Sequence, residues 1–290
     1  MTYFETRRLL VDGHLQKIAA AITAPPPLDE PIRRSLTSSG KRVRALLTIA
    51  AGEALGCKAE KLLDAAAAME MIHVSSLILD DLPAMDDATL RRGEPALHRA
   101  YGEDLAILAA VALLNHAYGL VTANHLARSP RLWPAHQIIQ RVVDAVGWDG
   151  TVAGEAVDLH SEGSTLDFNT LEFIHSRKTG ALFVAAGAIG AMLANGDPSV
   201  VRRIEIYARN LGMAFQITDD VLDETADSRQ LGKDVGKDAG KLTFVRLAGV
   251  EGARQLAREL VETSLASIAS LRATADPLRE LAVMVRDRVR

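Results

Sequence analysis

Apolar residues recur at intervals of three and four along most of the chain, which is the spacing of one helix face. Clusters of proline and glycine interrupt this pattern, as at Pro25 to Pro27, Pro134 and Gly196 to Pro198. Between the breaks the pattern predicts helices at residues 3–22, 28–38, 42–56, 59–82, 95–101, 103–127, 138–161, 168–194, 199–225, 242–272 and 277–289. A segment rich in glycine and lysine at 227–241 predicts a mobile loop. Strands are not expected, so the sequence predicts an all-α fold.

The composition favours one large helical domain. Apolar residues make up 48% of the 290 residues, whereas aromatic residues make up only 4%, a balance typical of packed helices. Nothing in the middle of the chain resembles a linker, so we expect residues 1–290 to form a single domain. A net charge of -4 offers no broad basic surface, and a nucleic-acid partner is therefore not expected.

Three features favour a soluble, cytoplasmic protein. Cys57 is the only cysteine, which rules out a disulfide within the chain and favours a reducing compartment. The first residues lack the apolar stretch of a secretory signal. The most membrane-like segment, Thr179 to Gly196, contains four glycines and an asparagine, which indicates a buried core helix rather than a membrane span. We therefore expect no stable membrane insertion.

Four carboxylates end the helix predicted at 59–82. They lie in the segment Leu79-Asp80-Asp81-Leu82-Pro83-Ala84-Met85-Asp86-Asp87. Because Pro83 disfavours helical geometry just before it, Asp80 and Asp81 fall in the last helical turn, where backbone carbonyls already carry partial negative charge. Carboxylates placed there repel the helix end and one another unless a cation intervenes. Such oxygen ligands suit magnesium, which is commonly shared between carboxylates, waters and substrate phosphates.

A second acidic cluster follows Gln216 in another predicted helix. It contains Asp219, Asp220 and Asp223, and the four-residue spacing of Asp219 and Asp223 places both on one helix face. Either cluster alone is equally consistent with a solvated helix end that carries capping aspartates. Two clusters embedded in apolar sequence are better explained by a shared, metal-filled cavity, because unpaired carboxylates are costly to bury.

Short basic clusters accompany the aspartates. Gly40-Lys41-Arg42-Val43-Arg44 opens a predicted helix, where free backbone N–H groups together with Lys41 and Arg44 suit a phosphate. Arg91 and Arg92 follow the first aspartate cluster. His73 lies two helical turns before Asp80 on the same face, although a histidine here is by itself more typical of a core residue bonded to a backbone carbonyl. Arg42 alone is interpreted as an exposed residue without a task.

Two further basic segments lie later in the chain. Lys178-Thr179-Gly180 interrupts a predicted helix, because glycine lowers helix propensity and threonine can bond back to the preceding turn. The resulting kink would direct a lysine into a cavity. Lys233, Lys237 and Lys241 lie in the predicted loop and suit a lid over a bound diphosphate, although Lys237 alone is interpreted as an exposed residue.

Together these residues resemble the trans-type isoprenyl diphosphate synthases, and most closely the geranylgeranyl diphosphate synthases of bacterial carotenoid pathways. The similarity covers Ser39 to Gly249. Its specific motifs, in the family's order, are Gly-Lys-Arg-x-Arg, His73 to Gly93, Lys178-Thr179-Gly180 and Phe215-Gln216 to Asp223. The sequence departs from residues common in the family at Ser39, Ala45, Glu155 and Val245. The resemblance implies a single-domain isoprenoid synthase helical bundle around a deep central cavity, usually paired as a homodimer.

The resemblance also implies roles for individual residues. The diphosphate of isopentenyl diphosphate would be bound by Lys41, Arg44, His73 and Arg92. Three magnesium ions would be held mainly by Asp80, Asp86 and Asp219, with help from Asp81, Asp220 and Asp223. The allylic diphosphate would be held by Arg91, Lys178, Lys233 and Lys241. Thr179 and Gln216 would direct oxygens towards the developing carbocation, so that with Lys178 they form the implied catalytic set. The implied reaction is ionisation, condensation and proton elimination.

The residues four and five positions before the first aspartate often form the floor of the product tunnel in the family. Here they are Ser76 and Ser75, which are small enough to let a growing chain pass towards Ile72 and Met71. This favours geranylgeranyl diphosphate, with twenty carbons, over the fifteen-carbon farnesyl diphosphate. Alternatively, the serines pack against a neighbouring helix and leave no tunnel. A terpene cyclase is less favoured, because it has no second diphosphate for Lys41, Arg44, His73 and Arg92 to bind. A non-catalytic synthase subunit is less favoured, because both aspartate clusters are present.

Overall fold

Helices account for most of the computed structural model, which describes residues 1–126, 132–161, 167–225 and 243–288. The described helices, in chain order, are α1 Tyr3–Ala20, α2 Asp29–Thr37, α3 Val43–Ala54, α4 Leu63–Asp80, α5 Leu97–Tyr101, α6 Glu103–Leu126, α7 Ala135–Val146, α8 Thr151–His160, α9 Phe168–His175, α10 Ala181–Leu193, α11 Pro198–Thr225, α12 Phe244–Ser267 and α13 Asp276–Asp287. A π-helical turn, Ser176–Gly180, joins α9 to α10. The predicted all-α fold is confirmed.

Side-chain caps fix where several helices begin. The Thr2 hydroxyl accepts a hydrogen bond from the Glu5 N–H at 3.2 Å, and the Glu5 carboxylate accepts one from the Thr2 N–H at 2.8 Å, which together start α1. Asp167 accepts from the Thr170 N–H at the start of α9, and Thr243 does the same for the Arg246 N–H at the start of α12. These caps satisfy N–H groups that the first turn leaves without helical partners.

The core is built around α10, nearly all of which is buried, as predicted for this segment. It packs against α3 on one side and α11 on another, while α4 packs along α6. Close approach of α10 to α3 depends on Gly190, because a Cβ atom there would lie 2.1 Å from the Thr48 carbonyl oxygen. The fold therefore brings α3, α4, α10 and α11 together, and these helices carry most of the predicted site residues.

Two local predictions need correction. The single helix predicted at 138–161 is two helices, α7 and α8, because the chain turns between Gly147 and Gly150. A short antiparallel ladder pairs Leu90–Arg91 with Glu94–Pro95, although no strand was expected. This ladder closes a tight turn directly after the first aspartate cluster.

Among the described residues, α6 is the helix that is long and apolar enough to span a membrane, rather than the segment at 179–196. Its apolar window has a mean hydropathy of 1.8, and only 33% of it is buried within the chain. Ile107, Leu108 and Val111 form an outward-facing apolar strip that is roughly half exposed. A core helix of a soluble protein meets the same criteria of length and composition, and α6 packs with its inner face on α4.

Candidate active site

The π-helical turn contacts Asp80 of the first aspartate cluster and Gln216, which is hydrogen-bonded to Asp220 of the second. Lys178 Nζ lies 2.7 Å from Glu155 Oε2, 2.8 Å from Asp158 Oδ2 and 3.6 Å from Asp80 Oδ1. The next residue, Thr179, donates its hydroxyl hydrogen to Gln216 Oε1 at 2.8 Å. Such turns are frequent at functional sites because they redirect side chains out of the helical register. The predicted kink at 178–180 is present, and it links α4 and α8 to α11.

The close packing of α8 on this turn depends on Gly154. A Cβ atom at this position would lie 2.3 Å from the backbone nitrogen of Lys178. The same packing brings Glu155 and Asp158 against the Lys178 ammonium. Burial opposes the charge on Lys178, but Asp80, Asp158 and Glu155 together raise its pKa above the ordinary value. Lys178 is therefore held as a cation in a fixed position.

The first aspartate segment folds back on the end of α4. The Asp86 N–H donates to the Asp80 carbonyl oxygen at 2.9 Å, and the Ala88 N–H donates to the Asp81 carbonyl oxygen at 3.1 Å. Asp80 and Asp86 are thereby brought to the same end of the helix. Asp80 Oδ1 is buried without a hydrogen-bond partner among the described residues. Its nearest cation is Lys178 Nζ at 3.6 Å, an ion-pair distance that leaves the oxygen able to accept a further ligand.

Asp81 has a different environment from Asp80. It is only 3% exposed, and Arg91 Nε donates to its Oδ1 at 2.8 Å. Burial raises the pKa of Asp81, while the Arg91 guanidinium opposes that rise. The structure therefore pairs two residues for which the sequence predicted separate roles, one towards metal and one towards the allylic diphosphate.

The second cluster is organised by hydrogen bonds around Asp220. Its Oδ1 accepts from Gln216 Nε2 at 2.9 Å, and its Oδ2 accepts from the Phe244 N–H at 3.4 Å. Burial raises the pKa of Asp220 to about 7. Because Gln216 Nε2 is bonded to Asp220 and its Oε1 to Thr179, the orientation of the Gln216 amide is fixed from both sides.

Asp219 is paired with a residue that sequence reasoning missed. Arg288, just after α13, donates from Nη2 to Asp219 Oδ1 at 2.5 Å, and its guanidinium carbon lies 4.6 Å from the centre of the Phe215 ring. Asp158, on α8, was likewise missed as a partner of Lys178. Neither residue belongs to a local motif, and Arg288 is 69 residues from Asp219, so spacing carried no signal for the contact.

The predicted basic residues converge beside the aspartates. Arg92 Nη1 donates to Ser38 Oγ at 3.1 Å and to the Ser39 carbonyl oxygen at 2.5 Å. Its guanidinium lies directly on Gly40, since a Cβ atom there would be 2.9 Å from Arg92 Nη1. This contact explains the glycine that precedes Lys41. The loop before α3 and the turn after the first aspartate cluster are therefore in direct contact, and Ser38, Arg91 and Arg92 line one pocket.

Arg44 and His73 line the same region. Arg44 Nε is buried without a hydrogen-bond partner among the residues that the structure describes. Burial lowers the pKa of Arg44 to about 10, and it therefore remains charged at neutral pH. Burial, together with nearby Arg44 and Arg92, holds the pKa of His73 well below its ordinary value of 6.5. A neutral imidazole carries one N–H donor among several guanidinium groups.

One prediction about the basic residues was wrong, and another concerns residues that the structure does not describe. Arg42 is 4% exposed and ion-paired, so its interpretation as an exposed residue without a task was wrong. Lys233, Lys237 and Lys241, with the whole predicted loop, lie outside the described residues.

The carboxylate oxygens at the site suit magnesium, but waters and phosphate oxygens would have to supply most of its ligands. Among residues 1–126, 132–161, 167–225 and 243–288, no three His, Cys, Asp or Glu side chains converge tightly enough to enclose an ion. The available donors are carboxylate oxygens, and one of them, Asp80 Oδ1, is buried 3.6 Å from Lys178 Nζ without a hydrogen-bond partner among the described residues. Magnesium commonly takes one or two carboxylates and completes its shell with waters and phosphate oxygens. An ion here would be shared with a diphosphate.

The predicted chain-length residues lie on α4 before the first aspartate cluster. Ser75 is buried, and its hydroxyl donates to the Ala110 carbonyl oxygen of α6 at 2.9 Å, whereas Ser76 bonds back to the His73 carbonyl oxygen. Ser75 therefore packs against the neighbouring helix, as the alternative interpretation held. One turn further along α4, Met71 lines a partly open cavity of about 350 Å³, together with residues of α2, α6 and the end of α1. Ile72 is buried nearby.

Comparison with known proteins places this arrangement in a class. The all-α fold is shared with solved prenyl synthases and prenyltransferases. A structure described as an FPP/GFPP synthase from Zymomonas mobilis has a TM-score of 0.84 and 33% identity, covering 97% of this chain and 98% of that chain. A geranyltransferase from Helicobacter pylori, complexed with magnesium and isoprenyl diphosphate, has a TM-score of 0.83 and 26% identity, covering 98% and 95%.

Sequence comparison identifies the family. The polyprenyl synthetase family model matches residues 25–276, and the chain belongs to that family. Among similar proteins, geranylgeranyl pyrophosphate synthase 11 from Arabidopsis thaliana is 45% identical over 258 residues, which is 84% of this chain and 71% of the relative. Geranylgeranyl pyrophosphate synthase 10 of the same plant, a mitochondrial protein, is 42% identical over 90% of this chain and 76% of the relative.

Proposed function

We propose that this protein is a geranylgeranyl diphosphate synthase, which condenses isopentenyl diphosphate with an allylic diphosphate. The observation that carries the proposal is the π-helical turn, whose Lys178 contacts Asp80 and whose Thr179 contacts Gln216. One turn therefore connects both aspartate segments beside a basic pocket. Relatives named geranylgeranyl pyrophosphate synthases, at 42% to 45% identity, support the twenty-carbon product.

Magnesium would be held mainly by Asp80, Asp86 and Asp219, with three ions as the proposed number. When bound, it neutralises the leaving diphosphate and so lowers the barrier to ionisation. The magnesium and isoprenyl diphosphate in the Helicobacter pylori relative support this assignment. Asp219 must leave Arg288 to act as a ligand. Asp223 lies one helical turn further along the same face, and Asp81 and Asp220 act through Arg91 and Gln216.

The chain's own residues then perform three tasks. Lys178 places a fixed positive charge where the diphosphate departs, which is stabilisation aimed at charge that develops in the transition state. The Thr179 and Gln216 oxygens lie beside it and suit a neighbouring carbocation. Isopentenyl diphosphate is bound in the pocket of Lys41, Arg44 and Arg92, where neutral His73 donates one hydrogen bond. The departed diphosphate accepts the final proton, so no protein nucleophile is required.

The cavity beside Met71 would receive the growing hydrocarbon chain. Its lining is predominantly apolar and comes from α4, α6 and the end of α1, as a hydrocarbon tail requires. The cavity begins one helical turn beyond Ser75, so a growing chain would have to pass beside the contact of Ser75 with the Ala110 carbonyl oxygen to reach it. This position supports a product longer than fifteen carbons.

The protein is proposed to act as a soluble homodimer. The outward strip of Ile107, Leu108 and Val111 on α6 is an apolar surface that a second copy of this chain would cover. Size-exclusion chromatography with light scattering should report twice the chain mass, and Leu108→Arg should reduce it to one chain mass. The cytoplasmic location stays a prediction, because the plant relatives are named as chloroplastic or mitochondrial.

The test is incubation with labelled isopentenyl diphosphate, magnesium and primers of five, ten and fifteen carbons. We expect geranylgeranyl diphosphate from each primer that is accepted, and loss of product when magnesium is chelated. A fifteen-carbon end product would indicate a farnesyl diphosphate synthase. A cyclic hydrocarbon or no product would contradict the proposal and indicate a cyclase or a non-catalytic subunit.

A further inference from the structure

Arg42 and Glu70 form a buried ion pair next to the basic residues, and neither has a role in the proposed function. Arg42 Nη1 and Glu70 Oε1 are 2.9 Å apart, and the two side chains are only 3% and 2% exposed. Arg42 Nε also donates to Asp12 Oδ1 at 2.9 Å, and its Nη2 donates to the Ser38 carbonyl oxygen at 2.6 Å. One guanidinium therefore ties α1 and α4 to the loop that precedes α3.

This loop carries the phosphate-binding residues of the pocket. Arg42 stands between Lys41 and Arg44 in the chain and has a left-handed backbone, with φ of 53°. Such a conformation costs free energy for a residue other than glycine and persists only where its surroundings enforce it. Ser38, which Arg42 holds through its carbonyl oxygen, also accepts the hydrogen bond from Arg92 Nη1. Arg42 and Arg92 thus both hydrogen-bond to Ser38, one to its carbonyl oxygen and the other to its hydroxyl.

Glu70 also acts on the neighbouring cations. Burial lowers the pKa values of Arg44 and Arg92, and the Glu70 carboxylate opposes that shift in both. Its second oxygen, Oε2, is buried without a hydrogen-bond partner among the described residues. A buried charge of this kind is tolerated because Arg42 pairs with it, and removal of either partner leaves the other uncompensated.

We propose that Glu70 and Arg42 are positioning residues, which hold the Ser38–Arg44 loop in the geometry that binds the diphosphate of isopentenyl diphosphate. The inference rests on the proposed function of that pocket. The direction in which diphosphate binding changes when Glu70 is removed distinguishes a positioning role from a purely electrostatic one. If Glu70 acted only through its charge, its removal would make the pocket more positive and would strengthen diphosphate binding. A positioning role predicts the reverse, because Arg42 loses its anchor and the loop relaxes.

The test is Glu70→Gln, which keeps the shape of the side chain and removes its charge. We expect KM for isopentenyl diphosphate to rise about tenfold or more, the scale of one misplaced charge-assisted hydrogen bond, with KM for the allylic substrate changed less than about twofold. Inorganic pyrophosphate, titrated in a calorimeter without magnesium so that it reports on the basic pocket alone, should bind Glu70→Gln more weakly than the original protein. Unchanged or tighter pyrophosphate binding by Glu70→Gln would overturn the inference.

A matched control separates positioning from general loosening of the fold. Glu53→Gln breaks the ion pair with Arg7, at 2.6 Å, which also joins α1 to a neighbouring helix but lies away from the pocket. It should leave both KM values unchanged, and a rise in KM for isopentenyl diphosphate equal to that of Glu70→Gln would contradict the inference. Arg42→Lys retains a cation opposite Glu70 and should recover part of the affinity that Arg42→Met loses, even if Glu70→Gln folds poorly.

The two proposals fail in different ways. If the original protein makes no prenyl diphosphate, the proposed function fails. If it makes product and Glu70→Gln keeps the original KM for isopentenyl diphosphate, only the positioning role fails.

Discussion

Gly40→Ala should weaken binding of isopentenyl diphosphate without destabilising the fold. The added Cβ would lie 2.9 Å from Arg92 Nη1 and 3.1 Å from its guanidinium carbon. These contacts are too short, so the guanidinium must move. The backbone at Gly40 is not in the left-handed region, and the atoms that would clash are the far end of a flexible side chain. The substitution therefore displaces Arg92 rather than the loop.

Arg92 donates to the Ser39 carbonyl oxygen at 2.5 Å and to Ser38 Oγ at 3.1 Å, which orients its guanidinium. The size of the effect on binding follows from the hydrogen bond that the displaced guanidinium would no longer make to the substrate diphosphate. A hydrogen bond to a charged group contributes about 1.5 to 3 kcal/mol. If one such interaction with the substrate diphosphate is lost when Arg92 moves, kcat/KM for isopentenyl diphosphate should fall about 10- to 100-fold.

Steady-state kinetics with each substrate varied in turn would measure this change, and thermal unfolding would measure stability. Gly13→Ala is the matched control, because a Cβ atom at Gly13 in α1 meets no atom within 4 Å. It should leave kinetics unchanged and raise stability by up to about 1 kcal/mol. Unaltered kcat/KM in Gly40→Ala, or an equal loss for the allylic substrate, would refute the assignment of Arg92 to the isopentenyl pocket.

Three other substitutions test separate parts of the account. Ser75→Phe should shorten the product to fifteen carbons or fewer by chromatographic analysis, because a ring one helical turn from Met71 would block the route to the cavity that Met71 lines. An unchanged product would contradict the tunnel assignment. Burial lowers the pKa of His175 to about 4 in the folded protein, so the unfolded chain binds a proton at this histidine more readily. The free energy of unfolding should therefore fall by up to about 3 kcal/mol as the pH drops from 6.5 to 4. Denaturant unfolding should show a smaller acid loss in His175→Gln, and equal losses would exclude this cause. Gly190→Ala should destabilise the protein by about 3 kcal/mol or more, since its Cβ would lie 2.1 Å from the Thr48 carbonyl oxygen; an unchanged melting temperature would show that α3 and α10 can separate freely.

The roles of residues that depend only on their neighbours in the sequence were predictable. Two motifs conflict with the local preferences of the sequence around them, and such conflicts are expected at functional sites. They are the carboxylates next to Pro83 at the end of an apolar helix, and Lys178-Thr179-Gly180 inside a helical pattern. Helix periodicity gave the all-α class for the same reason. The break between α7 and α8 was missed because the apolar period continues on both sides of the turn at Gly147–Gly150.

Residues whose meaning depends on distant partners were not predictable. Arg42 was interpreted as exposed, since nothing near it in the chain shows that Glu70 and Asp12 will surround its guanidinium. Arg288 reaches Asp219 only because α13 ends beside α11. The packing of Ser75 on Ala110 likewise depends on how α6 lies along α4. Such contacts are set by tertiary packing, which periodicity alone does not encode.

The central claim is that both aspartate segments act on one diphosphate through shared magnesium ions. A crystal structure with magnesium, isopentenyl diphosphate and an unreactive thio analogue of the allylic diphosphate tests it most directly. The account predicts metal ions coordinated by Asp80 and Asp86 on one side and by Asp219 on the other, all bridged by the oxygens of the analogue. A diphosphate bound with metal at only one aspartate segment, or elsewhere in the molecule, would contradict the claim.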